Sequence, residues 1–148
     1  MSVVNGYASL ANFKTYITPP GGTLSVDAAD DGVIDSIITR ASRRVDDLTG
    51  RRFYPRVETR NYDTPWNDEL WLDDDLLEVI TFTNGDLVAI ASTEYIFKPA
   101  NEYPKYAIRL RDTSQVYFKP NSSSDYSQVI ALAGVWGYRE DYASDGWV

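Results

Sequence analysis

The stretch DDGVIDSIITRASRRVDDLTGRRFYP, from Asp30 to Pro55, constrains the fold more than any other part of the chain. Val33, Ile34, Ile37, Ile38, Ala41, Val45 and Leu48 recur at steps of three and four. At about 3.6 residues per turn they gather into one apolar stripe of a helix, and that stripe must be buried against something. Asp30 or Asp31 is placed to cap the first turn, because a short side-chain oxygen can accept from backbone N–H groups that have no partner inside the helix. Gly50 follows Leu48 and Thr49 and suits the left-handed conformation that closes a helix C-terminus. Arg51 and Arg52 then meet the negative end of the helix dipole.

Arg40 and Arg44 flank the stripe four residues apart, like charges on neighbouring turns that repel mildly unless an anion answers them. Two readings follow. In one, the basic side chains are solvated or pair weakly with local acids, as Arg43 would with Asp47. In the other they face carboxylates on another subunit, a role that suits the planar, two-pronged guanidinium.

Upstream, Ser9 is positioned to cap a short helix in which Leu10, Phe13 and Ile17 share a face, and Thr18-Pro19-Pro20-Gly21-Gly22 ends it. Two helices around a breaker predict a helical hairpin, with the rest of the chain closing the core. After Pro55 the period changes to alternation. Strands are predicted at Arg56 to Tyr62, Glu69 to Leu72, Leu77 to Thr83, Leu87 to Ile90, Glu94 to Lys98, Ala107 to Leu110, Val116 to Lys119 and Gln128 to Val135. Asn84-Gly85 predicts a tight hairpin turn, since both residues tolerate positive φ. The fold class expected is α+β: an N-terminal helical hairpin or bundle packed with a mostly antiparallel β-rich insertion. Its parts are a helical core over 1–55, the insertion over 56–136 and an aromatic tail over 137–148. That tail, with Tyr138, Tyr142 and Trp147, is read either as docked on a neighbour or as the front of a longer segment.

Cysteine and histidine are both absent. Without them there is no Ser-His-Asp or Cys-His nucleophile, no ordinary zinc cage and no disulfide. The expectation is a protein that is not an enzyme and holds no cofactor or metal. The net charge of -8 repels phosphate backbones, which argues against tight nucleic-acid binding. No run of eighteen apolar residues is present, and MSVVNGYASL lacks the features of a secretory signal, so synthesis in a cytoplasm is expected.

Two constellations remain. Asp73, Asp74 and Asp75 lack the alternating spacing and glycine bend of a calcium loop and read as an acidic turn. Carboxylates alone suffice for glycoside hydrolysis, although nothing in the spacing selects a pair. The aromatic residues Trp66, Trp71, Tyr95, Tyr103, Tyr106, Tyr117, Tyr126, Trp136 and Tyr138 suit core or interface positions, with a sugar-stacking platform as the other reading. Asn121-Ser122-Ser123 matches a glycosylation acceptor but lacks a secretion signal to give it meaning.

The Asp30 to Pro55 run resembles the signature of head-tail connector (adaptor) proteins of tailed bacteriophages, the gp6-like group. In these a helix carrying an Ala-Ser pair ends in Thr-Gly-Arg-x-Phe; Ala41-Ser42 and Thr49-Gly50-Arg51-Arg52-Phe53 stand at those places. YASLANFKTYI is similar to the group's first helix, while DDDLLEVITFTNGD and GVWGYRED are similar to members with a β insertion. The resemblance implies a structural virion protein made in a bacterial cytoplasm and assembled as a homo-oligomeric ring at the particle's neck. Its partners would be the portal protein and a tail-side stopper or tail completion protein. Double-stranded DNA would pass through a carboxylate-lined channel without specific binding. Portal symmetry would give about twelve copies, with a monomer conceivable in isolation. A ring needs one patch to meet a different patch, and the residues expected at subunit or portal interfaces are Arg40, Arg43, Arg44, Arg51, Arg52, Phe53, Tyr54, Tyr138 and Trp147. The alternative from another class is a β-rich carbohydrate-binding or glycosidase-type domain.

Overall fold

In the computed structural model, which describes residues 5–22 and 30–138, two helices precede a five-stranded sheet. They are α1 (Leu10–Ile17) and α2 (Asp31–Thr49); the strands are β1 (Arg56–Tyr62), β2 (Glu69–Thr83), β3 (Tyr95–Lys98), β4 (Lys105–Leu110) and β5 (Ile130–Trp136). The chain divides between Tyr54 and Pro55 into two compact units, a helical one and a β one.

The expected α+β architecture with a helical hairpin or bundle is not what folds. Among the described residues the helices number two, and the antiparallel sheet makes this a mostly β protein. The reason lies in the apolar stripe. Of its seven members only Ile34 and Ile38 are buried, while Val33, Ile37, Ala41, Val45 and Leu48 are exposed, and α1 buries no residue at all. Two buried isoleucines do not make a bundle core. The large buried side chains instead belong to the sheet: Leu76, Phe82, Ile108, Ile130, Leu132 and Trp136.

Local signals set the helix ends. The Ser9 side chain accepts from the Asn12 amide at 3.1 Å, as expected of an N-cap. Gly50 adopts φ 66° and its N–H returns to Asp46 O at 2.8 Å, closing α2 in the left-handed conformation. Asp30 sits at the other end without a side-chain cap bond, because its backbone is already helical (φ -83°, ψ -15°) rather than extended. Asp31 pairs with Lys14 of α1 instead.

The sheet order is β1-β5-β2-β4-β3, and every pairing is antiparallel. The expected strands at 69–72 and 77–83 are one strand of 15 residues. Its register against β4 jumps between Trp71 and Leu76, so Asp73, Asp74 and Asp75 bulge out between two paired stretches. Gly134 on β5 is required by the close approach of β2, since a Cβ there would lie 2.4 Å from Glu78 O.

Two expected strands are missing. Leu87 to Ile90 makes only an isolated bridge, Thr83 to Ala89, and Val116 to Lys119 runs without a ladder. For Val116 to Lys119 the cause is Asn84, which is buried. Its Nδ2 donates to Tyr117 O at 2.9 Å and its Oδ1 accepts from the Lys119 N–H at 2.9 Å, so a side chain takes the place of a partner strand. The turn that follows is also not the tight Asn-Gly form. Leu87 carries the positive φ, 64°, and Gly85 is needed because a Cβ would meet Lys119 O at 2.1 Å.

Candidate functional site

The signature region folds around a residue that sequence reasoning did not single out, Tyr7. Its amide donates to Ser42 Oγ at 2.9 Å, and Ser42 in turn donates to Ile38 O at 2.8 Å. Its hydroxyl donates to Asp46 and accepts from the Phe53 amide at 3.0 Å. Its ring meets Phe53 edge-on, with centroids 5.7 Å apart. Burial, reinforced by the hydrogen bond to Asp46, pushes the Tyr7 phenol up to about 12. Ser42, Asp46 and Phe53 therefore serve to hold the segment before α1 against α2. Nothing local marks Tyr7, because its partners are 35 to 46 residues away.

Arg43 belongs to the same cluster. It lies 3.1 Å from Asp46, not paired with Asp47, donates to Asn5 O at 2.7 Å, and covers the Tyr54 ring at 4.5 Å and the Tyr7 ring at 5.6 Å. Arg43, Phe53 and Tyr54 are thus engaged within their own unit. The Arg51 side chain is exposed and its amide donates to Thr49 Oγ1 at 3.3 Å. Tyr138 is half exposed. Trp147 and Tyr142 lie outside the described residues.

Arg40, Arg44 and Arg52 differ from these. They are exposed and make no hydrogen bond or ion pair among the described residues. Arg40 and Arg44 share a face with the part of the stripe left open. At about 100° per residue, Val33, Ile37, Ala41 and Leu48 fall within an arc of about 80°, with Arg44 inside it and Arg40 about 20° beyond its edge. Leu48 is 71% exposed and Val33 61%. This is an apolar face with two unanswered cations on it.

In the β unit two members of the acidic triplet are taken up by arginines. Asp73 accepts from Arg60 Nη1 at 2.9 Å and from the Tyr62 hydroxyl at 2.6 Å. Asp74 takes both Arg56 Nη2 at 2.6 Å and Arg60 Nη2 at 2.7 Å. The Arg60 guanidinium also lies over the Trp136 ring, 4.5 Å from its centroid, and Trp136 Nε1 donates to Glu58 O at 3.1 Å. The bulge of β2 is clamped by arginines over the buried tryptophan. Burial would raise the Asp73 carboxyl, but its bonds to Tyr62 and Arg60 outweigh this and hold it below the usual carboxylate range. Among the described residues no group of three or more acidic side chains is placed to hold a metal ion.

The aromatic residues divide as well. Tyr95 and Trp136 are buried. Trp66, fully exposed, stacks on Tyr126 with centroids 6.5 Å apart and planes 11° from parallel, and Trp71 stacks on Tyr106 at 5.6 Å and 16°. Trp66 and Trp71 line an open groove of about 450 Å³ together with Tyr62, Asp63, Asn67 and Glu69. Around it Glu69 pairs with Lys98 at 2.5 Å, Asp68 with Arg109 at 3.0 Å, and Arg109 with Asp112 at 2.7 Å. Asn121 uses its Oδ1 to accept from the Ser123 and Asp125 amides, a turn-forming role for the residue of the glycosylation-like triplet.

Comparison of the chain with protein-family models, with curated proteins and with solved structures finds no match.

Proposed function

We propose that this chain is a structural protein of a tailed-bacteriophage particle, a head-tail connector (adaptor) that assembles as a ring between the portal and the tail-side stopper or tail completion protein. The observation that carries this reading is the open face of α2. A helix that leaves Val33, Ile37, Val45 and Leu48 in water, beside Arg40 and Arg44 that have no partner among the described residues, is built to be covered by another chain. The remainder of the signature supports the same reading from the other side. Ser42, Gly50 and Phe53, three of the residues that give the resemblance, hold the helix against Tyr7 and set its end. A net charge of -8 suits a channel through which DNA slides rather than sticks. Portal symmetry sets the expected copy number at about twelve.

Labelling of intact particles with an antibody raised against the chain tests this reading. Label at the neck, between head and tail, is the expected result; particles without label, with the protein confined to the cytosol of infected cells, would refute it. The second reading, a carbohydrate-binding or glycosidase-type domain, is favoured by the Trp66 and Trp71 groove alone. Binding or turnover across a glycan panel that disappears in Trp66→Ala would select it.

A further inference from the structure

We propose that the exposed face of α2 in one copy seats in the Trp66–Trp71 groove of the next copy, so that the chain associates head to tail through two different patches. This rests on the ring reading and gives it a contact.

The two surfaces complement each other in side-chain chemistry and in the placing of their charges. The α2 face offers aliphatic side chains, Val33, Ile37 and Leu48, and the groove offers flat aromatic ones, Trp66 and Trp71, each held by a stacked tyrosine. Those tyrosines fix the ring planes before contact, so little rotamer freedom remains to be lost on docking. Charge runs the same way. The groove is lined by two carboxylates, Asp63 and Glu69; Glu69 is paired with Lys98, and the neighbouring Asp68 with Arg109, so the negative charge left over at the groove is that of Asp63. The α2 face carries Arg40 and Arg44 one turn apart near its middle, with Asp30 at its start and Asp47 further round, so its positive charge is local to the two arginines. Among the described residues Asp63 accepts the Gln128 amide alone, at 2.8 Å, so its carboxylate retains capacity for a guanidinium. An arginine can also lie on the open face of Trp66, as Arg60 does on Trp136 within the chain. Because the patches differ, the contact does not pair a surface with itself. It propagates, closing into a ring if the rotation per copy permits.

The test is a complementation experiment on the full chain, read by sedimentation velocity and native mass. The face variant is Arg44→Glu with Leu48→Glu, and the groove variant is Trp66→Ala; all three side chains are exposed, so circular dichroism should match wild type. Wild type is expected to grow in mass with concentration, and each variant alone to stay monomeric over the same range, with association weakened at least about tenfold. An equimolar mixture holds one intact face and one intact groove, and is expected to form a heterodimer that grows no further. Wild type that stays monomeric, variants that associate like wild type, or a mixture that stays monomeric would overturn the proposal. Quenching of tryptophan fluorescence by an oligosaccharide, with wild type monomeric, would assign the groove to a sugar and overturn it too. Label at the particle neck alongside any of these failures would leave the connector reading standing and remove only this contact.

Discussion

Replacing Tyr7 with phenylalanine isolates what holds the signature region together. The ring stays edge-on to Phe53 and under Arg43, and only the hydroxyl is lost. Two interactions go with it: the Phe53 amide loses its acceptor at 3.0 Å, and Asp46 loses a donor while keeping Arg43 at 3.1 Å. A hydrogen bond of this kind contributes about 0.5–1.5 kcal/mol net, more where an ion is a partner, and an amide left without an acceptor adds its own penalty where water cannot reach it. Phe53 is half-buried, so water recovers part of that loss. The expected cost is about 1–2 kcal/mol, confined to the helical unit. Native-state amide exchange reads it directly: the Phe53 amide should exchange about five- to thirtyfold faster, while amides of Leu132 and Val79 in the sheet keep their rates. An unchanged Phe53 rate would refute the role given to the hydroxyl. Equal acceleration in the sheet would show that the effect is not local.

The two neighbouring arginines should behave differently: Arg43→Glu should destabilise the helical unit by about 1–3 kcal/mol, since it takes the donor from Asn5 O and sets a carboxylate beside Asp46, whereas Arg44→Glu should change stability by less than about 0.5 kcal/mol in a thermal melt. Gly134→Ala should lower the stability of the β unit by at least about 2 kcal/mol in urea, because its Cβ would sit 2.4 Å from a backbone oxygen that cannot move away without breaking the β2–β5 ladder. Tyr7, Tyr62 and Tyr95 all have phenols raised above 10.0, chiefly by burial, so the stabilisation linked to them is complete below pH 10 and is lost as pH rises through their folded values, for Tyr7 about 12; absorbance titration of the phenolates should show a late class absent in urea. Asp73 is depressed, so its stabilisation is present above the ordinary carboxylate value of 3.8 and is lost as pH falls through the lower folded value; Arg60→Met should weaken that acid sensitivity.

The parts of the fold that were legible in the sequence are those decided by near neighbours. The Ser9 cap, the Gly50 stop and the alternation of Arg56 to Tyr62 depend on residues a few positions apart, and they form as read. The bundle failed for a reason the helical period cannot carry. Periodicity gathers Val33, Ile34, Ile37, Ile38, Ala41, Val45 and Leu48 on one side, but it cannot say how much of that side meets the chain's own residues, and here most of it does not. Val116 to Lys119 has the composition of a strand, yet a single side chain 32 to 35 positions earlier, Asn84, takes its backbone groups. The period places Arg40 and Arg44 beside the stripe but does not say which arginines stay open: these two do, while Arg43, one residue from Arg44, turns inward because Tyr7 and Tyr54 offer it ring faces. The pairing of Trp66 with Tyr126 and Trp71 with Tyr106 carries no sequence signal, since the partners lie 60 and 35 positions apart.

A density map of the assembled particle neck tests the central claim most directly. The account predicts a ring of this chain below the portal, with Val33, Ile37 and Leu48 covered by a neighbouring chain and Arg44 within reach of a carboxylate or an aromatic face there. A neck that lacks the chain, or a ring in which that side of α2 faces open solvent, would contradict it.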